Sequence, residues 1–143
     1  MTLSSRPGRV LGVDPGTVRV GLAVCDPDRL VATPHSTIPG GKRAAGRIAA
    51  ISTELGCVAV VVGLPRALSG RETDSTRMAR ALADQLRDAG LEVHLQDERL
   101  TSVQADRSLR AQGRTTKQSK SVKDQIAASV VLQSWLDTAR THT

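Results

Sequence analysis

Aromatic residues are nearly absent from this sequence. Trp135 is the single aromatic residue among 143, and the chain has no Phe and no Tyr. The hydrophobic core must therefore be aliphatic, built from Val, Leu, Ile and Ala. Proteins that bind single-stranded nucleic acid without sequence preference usually stack bases on aromatic rings. If this chain binds nucleic acid, we expect the contacts to run through phosphates and duplex shape.

Cysteine is scarce, and several catalytic motifs are missing. Cys25 and Cys57 have neither C-x-x-C spacing nor a histidine at ligand spacing, so we expect two reduced structural thiols and no zinc site. The patterns G-x-x-x-x-G-K-[ST], G-x-G-x-x-G and G-x-S-x-G do not occur. Their absence argues against a P-loop, a dinucleotide-binding turn and a serine-hydrolase nucleophile.

Long apolar runs are missing as well. No segment approaches the ~18 apolar residues of a membrane span, and residues 1 to 8 lack the apolar stretch of a secretion signal. We therefore expect a cytoplasmic protein. At 143 residues the chain fits one domain. We place that domain at residues 9 to 139, with flexible ends at residues 1 to 8 and 140 to 143.

Positive charge is what the chain has in excess. The 20 Lys and Arg residues outnumber the 14 Asp and Glu residues, which gives a formal net charge of +6. This balance favours nucleic acid as a partner, because cations gain free energy by displacing counterions from phosphates. Residues 113 to 123 carry four cations and no acid, so we predict a mobile loop there that guides phosphates. The predicted nucleic-acid contacts are Arg19, Arg66, Arg71, Arg99, Arg114, Lys117, Lys120 and Lys123.

Hydrophobic periodicity predicts an α/β protein. Strands are predicted at residues 9–14, 18–25, 31–38, 58–62 and 92–96, and helices at 42–55, 73–89, 101–113 and 122–139. Pro34 places the third strand at a sheet edge, where a missing N–H is tolerated. We expect a mixed five-stranded sheet, with three antiparallel strands and then two crossover strands, and helices on both faces. This is the element order of ribonuclease H-like folds.

Three acidic residues, Asp14, Glu98 and Asp124, each lie at the tip of a different predicted element. Asp14 ends the first strand, Glu98 follows the fifth, and Asp124 lies in the first turn of the last helix, on its apolar stripe. Carboxylates packed side by side repel one another unless a cation lies among them. If the fold unites these acids, they form a site for Mg²⁺ or Mn²⁺ and for hydrolysis of phosphate esters.

Each acid also has a purely structural interpretation. Asp14-Pro15-Gly16 favours a type II turn, and Asp124 resembles an acid in a capped first helical turn. Glu98 could be an ordinary polar strand end. Asp97 is an alternative to Glu98, because successive strand residues face opposite sides of a sheet and only one of the two should reach the cluster.

Four motifs carry a resemblance to a known family. They are Gly12-Val13-Asp14-Pro15-Gly16-Thr17 with Arg19 and Gly21, Val62-Gly63-Leu64-Pro65 with Gly70, Asp97-Glu98-Arg99-Leu100-Thr101-Ser102, and Lys123-Asp124 with Ala127-Ala128 and Leu132. Over residues 9 to 137 the chain resembles the YqgF/RuvX family, the bacterial Holliday-junction-resolvase-like pre-16S rRNA nucleases of the ribonuclease H-like superfamily. The resemblance implies metal-dependent phosphodiester cleavage in ribosomal RNA maturation.

The resemblance also implies which residues act. Asp14, Glu98 and Asp124 would be catalytic and would bind Mg²⁺ or Mn²⁺, with an rRNA precursor or branched DNA as substrate. The family often has Val or Leu where Lys123 precedes the last acid, and it usually carries more aromatics. One alternative is a non-catalytic nucleic-acid-binding module of the same fold. Another is a sugar-kinase-like or actin-like phosphate binder, which shares the Asp-x-Gly-Thr hairpin but needs a second domain to enclose a nucleotide.

Overall fold

The structure is a computed structural model that describes residues 8 to 98 and 117 to 141, with side chains from residue 120 to residue 139 in the second range. The helix predicted at residues 101–113 lies outside these ranges, and so do Arg99, Arg114 and the side chain of Lys117. The ends for which flexibility is predicted also fall outside, apart from Gly8, Arg140 and Thr141.

Five strands form one mixed sheet around a central first strand. The strands are β1 (Arg9–Asp14), β2 (Arg19–Cys25), β3 (Ala32–Pro39), β4 (Cys57–Leu64) and β5 (Val93–Asp97). Their order across the sheet is β3-β2-β1-β4-β5. The β1–β2 and β2–β3 pairs are antiparallel, and the β1–β4 and β4–β5 pairs are parallel. The predicted mixed five-stranded sheet is confirmed.

The described residues form three helices, α1 (Ala44–Leu55), α2 (Asp74–Asp88) and α3 (Lys117–Thr141). Helix α1 ends at Gly56, whose φ of 71° is a left-handed conformation that glycine adopts without a Cβ clash. Helix α2 begins with a capping box in which the hydroxyls of Thr73 and Thr76 each accept from the other residue's N–H. Within the described ranges, none of these helices combines the length and apolarity that crossing a membrane requires.

The helices cover both faces of the sheet with separate aliphatic cores. On one face, α1 and α2 pack on the sheet through side chains that include Leu11, Leu22, Ile48, Val60 and Leu86. On the other face, α3 packs on the alternate strand positions, and this core includes Val10, Ala23, Val61, Ala128, Val131 and Leu132. Because side chains alternate along a strand, Asp14 faces the same side as Val10. The carboxyl of Asp14 therefore belongs to the face that α3 covers.

Strand β3 is an edge strand, as Pro34 predicts. Its register with β2 shifts between the pairs Leu22–Ser36 and Ala23–Pro34, so His35 is left without an opposite residue. Such a bulge at a sheet edge accommodates the missing N–H of proline.

The two cysteines are free thiols, as predicted. The Cys25 sulfur accepts a hydrogen bond from the Val10 N–H at 3.1 Å. Burial raises the pKa of Cys25, and it raises the pKa of Cys57 to about 11. Both thiols are protonated at neutral pH, which suits a structural role, because the thiolate is the reactive form of cysteine.

Helix α3 begins earlier than predicted. Residues 117 to 123 are helical, so the predictions of a mobile loop there and of a helix start near residue 122 are wrong. Asp124 lies inside the helix, and its interpretation as a first-turn capping acid is wrong too. The hydroxyl of Thr37 holds this part of α3 on β3, since it donates to the Ser121 carbonyl at 2.9 Å and accepts from Gln125 Nε2 at 3.2 Å. The helix contains no Gly or Pro that would interrupt it.

Gly12→Ala is expected to destabilise the fold by about 1–3 kcal/mol, the usual cost of overpacking a core. A Cβ at Gly12 would lie 2.7 Å from the Leu132 Cβ and 3.0 Å from the Ala128 carbonyl oxygen, so α3 would have to move off the sheet. Urea unfolding followed by circular dichroism measures the change.

The matched control is Gly46→Ala in α1, where a Cβ would meet nothing within 4 Å. There we expect stabilisation by about 0.5–1 kcal/mol, because alanine is the better helix former. Equal effects of the two substitutions would contradict the close packing of α3 on β1.

Candidate active site

Asp14 and Glu98 meet at the end of the sheet where β1, β4 and β5 finish. Asp14 is the last residue of β1. Glu98 follows β5 and is held beside β4 by a hydrogen bond from its N–H to the Leu64 carbonyl at 3.1 Å. The two carboxyl groups share a side-chain hydrogen bond. Two of the three acids predicted to converge are therefore in direct contact.

A glycine makes this contact possible. The Glu98 side chain lies over Gly63 of β4, where a Cβ would be 2.7 Å from Glu98 Cδ. Glu98 itself is only 7% exposed. A larger residue at position 63 would push the buried carboxyl away from Asp14.

Burial controls the protonation of the pair. Loss of solvent is the largest effect on each carboxyl, and it raises the pKa of both Asp14 and Glu98. The pKa of Glu98 rises to about 10, because the hydrogen bond with Asp14 and the charge of Asp14 add to burial. At neutral pH Glu98 is protonated and donates a hydrogen bond to the Asp14 carboxyl. This hydrogen bond partly offsets the rise in the pKa of Asp14.

Asp124 lies next to this pair but is bonded elsewhere. Its backbone rests on Gly21, the residue opposite Asp14 in the β1–β2 pair, and a Cβ at Gly21 would lie 2.0 Å from the Asp124 carbonyl oxygen. Its carboxylate accepts a hydrogen bond from Arg19 Nε at 2.6 Å. The Asp124 charge still contributes to the raised pKa of Asp14. The third predicted acid is thus adjacent to the other two and paired with an arginine.

Glycines lie near Asp14 in the neighbouring strands β2 and β4 and in the turn after β1. The backbone approaches closely at Gly21 and also at Gly16, where a Cβ would lie 2.3 Å from the Arg19 carbonyl oxygen. The role of Gly63 is not predicted. A signal for it exists in the sequence, because a glycine that follows Val60-Val61-Val62 in a buried strand commonly marks a point of close approach.

Asp97 does not join the cluster. It lies on the opposite face of β5 from Glu98, as the alternation of strand residues requires, and its carboxylate lies 3.9 Å from Arg66 Nη1. Of the two neighbouring acids, Glu98 is the one that reaches Asp14.

The carboxyl oxygens of Asp14 and Glu98 are ligands of the kind that a hard cation such as Mg²⁺ or Mn²⁺ prefers. Two ionised carboxylates at Asp14 and Glu98 would repel each other, and the proton on Glu98 removes that repulsion. A divalent cation bound by both residues would remove it instead and would displace the proton. Among the residues whose side chains the structure describes, no three of Asp, Glu, His or Cys already form a group that could hold a metal. The arrangement supplies two ligands, and Asp124 lies beside them with its Oδ2 bonded to Arg19.

The predicted nucleic-acid contacts that the structure describes are distributed around this end of the sheet. Lys120 and Lys123 are exposed on α3, and the charge of Lys123 reaches the site, since it lowers the pKa of Asp14. Arg66 follows β4 beside Asp97, and Arg71 is exposed in the loop before α2. Arg19 is bonded to Asp124, one of the predicted catalytic acids.

Sequence comparisons point to one family. A family model described as "RuvX: Holliday junction resolvase" matches residues 8–138. A protein of Mycolicibacterium paratuberculosis named "Putative pre-16S rRNA nuclease" is 52% identical over 141 residues, which cover 95% of this chain and 84% of that protein. A protein of Clavibacter michiganensis with the same name is 48% identical, with coverage of 94% and 86%.

Solved structures share the fold at low sequence identity. RuvC of T. thermophilus in complex with a Holliday junction substrate has a TM-score of 0.55 at 19% identity, over 95% of this chain and 97% of that one. The large terminase nuclease of thermophilic phage G20c has a TM-score of 0.55 at 16% identity, over 92% and 83%. These similarities confirm the predicted ribonuclease H-like fold class.

Asp14→Asn is expected to stabilise the metal-free protein at pH 8, because asparagine does not carry the charge whose burial raises the pKa of Asp14. A carboxyl whose pKa is raised on folding contributes full stability below its unfolded pKa and loses it as the pH rises toward the folded pKa. For Glu98 this window runs from the ordinary value of 4.5 to about 10. The wild type should lose stability across it, and Asn at position 14 should reduce the loss by removing one charge.

Thermal unfolding in EDTA at several pH values measures this effect. Asp28→Asn is the matched control, because Asp28 is exposed in the loop between β2 and β3, at the opposite end of β1 from Asp14. A less stable Asp14→Asn protein, or one with the pH dependence of the wild type, would contradict the buried carboxyl pair.

Proposed function

The chain belongs to the RuvX family of ribonuclease H-like nucleases, and from this premise we propose that it hydrolyses phosphodiester bonds of structured nucleic acid with Mg²⁺ or Mn²⁺. The hydrogen-bonded pair of Asp14 and Glu98 is the observation that carries the proposal. Two acids forced together in a buried place are the arrangement that a divalent cation stabilises. We assign catalytic and metal-binding roles to these two residues and to Asp124.

The substrate we propose is the precursor of 16S rRNA, cut during maturation of its 5′ end in the cytoplasm. Support comes from relatives that match 94% and 95% of this chain and carry the name of a pre-16S rRNA nuclease. A four-way DNA junction is the second candidate, since the matching family model is described as a Holliday junction resolvase. Either substrate would present a structured backbone to the same carboxyls.

In the proposed reaction the acidic residues would bind the metal and the lysines would contact the phosphate. A bound divalent ion would polarise the scissile phosphate and make water a better nucleophile. Asp14 and Glu98 would hold it, and Glu98 has to release its proton to do so, which makes metal binding stronger at higher pH. Lys120 and Lys123 on α3 would offset the charge of the phosphate, which otherwise meets carboxylates.

A non-catalytic nucleic-acid-binding module is the alternative within the same fold. It would use the same cations and require no metal. The carboxyl pair argues against it, because burial of two acids that must share a proton is unfavourable to folding and serves no purpose in phosphate binding.

Asp14→Asn and Glu98→Gln are each expected to lower divalent-dependent cleavage by at least about 100-fold, the usual loss when one group that stabilises a transition state is removed. Both amides keep the shape of the acid and should leave the fold intact. Cleavage is followed on a labelled transcript that carries the 5′ precursor sequence of 16S rRNA, and on a labelled four-way DNA junction. Each reaction is run in Mg²⁺, in Mn²⁺ and in EDTA, with Asp28→Asn as the matched control.

The outcomes separate the candidates. Cleavage of the transcript but not of the junction would support the RNA substrate, and the reverse would support the junction. Tight binding of both without cleavage by the wild type would favour the non-catalytic module. Full activity of Asp14→Asn would reject the site.

Replacing both Lys120 and Lys123 by Ala is expected to flatten the salt dependence of nucleic-acid binding. Each phosphate contact contributes about 0.9 to the slope of log K against log salt on a duplex, so the slope should fall by up to about 2. Fluorescence anisotropy of a labelled duplex in EDTA measures it. The control is Arg47→Ala on α1, an exposed cation on the other face of the sheet; an equal change in that protein would exclude α3 as the contact surface.

A further inference from the structure

Arg19 and Asp124 form an ion pair directly beside the carboxyls of Asp14 and Glu98. Arg19 Nε lies 2.6 Å from Asp124 Oδ2, which joins β2 to α3. The side chain of Arg19 is 40% exposed, and that of Asp124 is 19% exposed. The ion pair therefore occupies a carboxylate that the proposed metal site would use, while its arginine remains open to solvent.

The backbone under Asp124 is fixed. Helix α3 already touches the sheet there, because a Cβ at Gly21 would lie 2.0 Å from the Asp124 carbonyl oxygen. Thr37, the partner of Gly21 across β2 and β3, holds the same turn of α3 through Ser121 and Gln125. Asp124 can consequently change its partner only by rotating its side chain.

Asp14 lies close enough to Asp124 for the charge of Asp124 to raise the pKa of Asp14. Asp14 and Gly21 are opposite each other in the β1–β2 pair. The Asp124 Cβ lies 3.0 Å from the position of a Cβ at Gly21, so Asp124 stands over the strand next to Asp14. A rotation of the Asp124 side chain away from Arg19 is thus the change that would add its carboxylate to those of Asp14 and Glu98.

We propose that Arg19 holds Asp124 away from the metal site until a phosphate of the nucleic acid replaces it on Arg19, so that substrate binding completes the set of metal ligands. This inference rests on the proposed function. Arginine suits the exchange, because its planar guanidinium bonds carboxylates and phosphates with the same geometry. Arg19 is then a positioning residue that acts through Asp124, and the metal and the nucleic acid bind cooperatively.

The size of the effect follows from the exposure of the pair. A partly exposed ion pair of this kind lowers the affinity of either member for another partner by up to about fivefold. Nucleic acid should therefore tighten metal binding by about that factor. Because coupling between two ligands is reciprocal, the metal should tighten nucleic-acid binding by the same factor.

A double-mutant cycle with Mn²⁺ as the probe tests the exchange without relying on cleavage. Calorimetry without nucleic acid gives the Mn²⁺ affinity of the wild type, Arg19→Gln, Asp124→Asn and the double variant. Removing the arginine should tighten Mn²⁺ binding about three- to fivefold more when Asp124 is present than when Asn replaces it. Arg47→Gln on α1 removes the same charge far from the site and should change nothing.

The cycle distinguishes failure of the exchange from failure of the site. If Arg19→Gln raised the Mn²⁺ affinity equally with and without Asp124→Asn, the proposed exchange of partners at Arg19 would be overturned. Such a gain would reflect only the removal of a positive charge. If Asp14→Asn still abolished Mn²⁺ binding in that case, the proposed metal site would stand. Absence of Mn²⁺ binding by the wild type and by every variant would overturn both proposals.

Coupling to nucleic acid gives an independent measurement. A phosphorothioate duplex, which resists cleavage, should tighten Mn²⁺ binding to the wild type by about fivefold and have no such effect on Arg19→Gln. In ¹H–¹⁵N spectra, Mg²⁺ added together with this duplex should move the Arg19 Nε–H resonance away from its ion-paired position. Equal coupling in the two proteins, or a resonance that does not move, would contradict the exchange.

Discussion

The site depends on the absence of two side chains, those of Gly21 and Gly63, on either side of Asp14. A Cβ at Gly21 would strike the Asp124 carbonyl oxygen at 2.0 Å, and one at Gly63 would strike Glu98 Cδ at 2.7 Å. Carboxylates repel one another, so their approach has to be imposed by the packing of α3 on the sheet and by the pairing of β5 with β4. Glycine weakens a strand, and the aliphatic cores on both faces offset that loss.

Bringing three acids to one place creates an electrostatic problem that the metal-free protein solves in two ways. Glu98 retains a proton and shares it with Asp14, since burial disfavours a second negative charge. Asp124 takes its positive partner from Arg19 on β2. The ion pair that provides a partner for Asp124 is also the contact that the proposed metal site would have to replace, so the stability of the metal-free fold and the proposed assembly of the site are opposed.

Local patterns in the sequence account for most of the fold and for part of the site. Strand alternation predicts that only one of Asp97 and Glu98 reaches Asp14, and in the structure that residue is Glu98. The position of Pro34 predicts the edge strand, which is confirmed. The start of α3 is not predictable in this way, because the polar residues that open it become helical where Thr37 binds the helix to β3. The ion pair between Arg19 and Asp124 also depends on tertiary register, since its members are 105 positions apart.

The charge of the site bears on the exchange of partners that we propose for Arg19. Exchange of the shared proton for a divalent cation adds one positive charge among Asp14, Glu98 and Asp124. A phosphodiester bound to Arg19 adds one negative charge beside them. The two events together leave the net charge of the site unchanged. A phosphodiester bound without the metal would add negative charge beside carboxylates in a partly buried place, which is unfavourable, and a divalent cation would offset that charge. Charge balance therefore favours binding of nucleic acid together with the metal over binding of nucleic acid by itself.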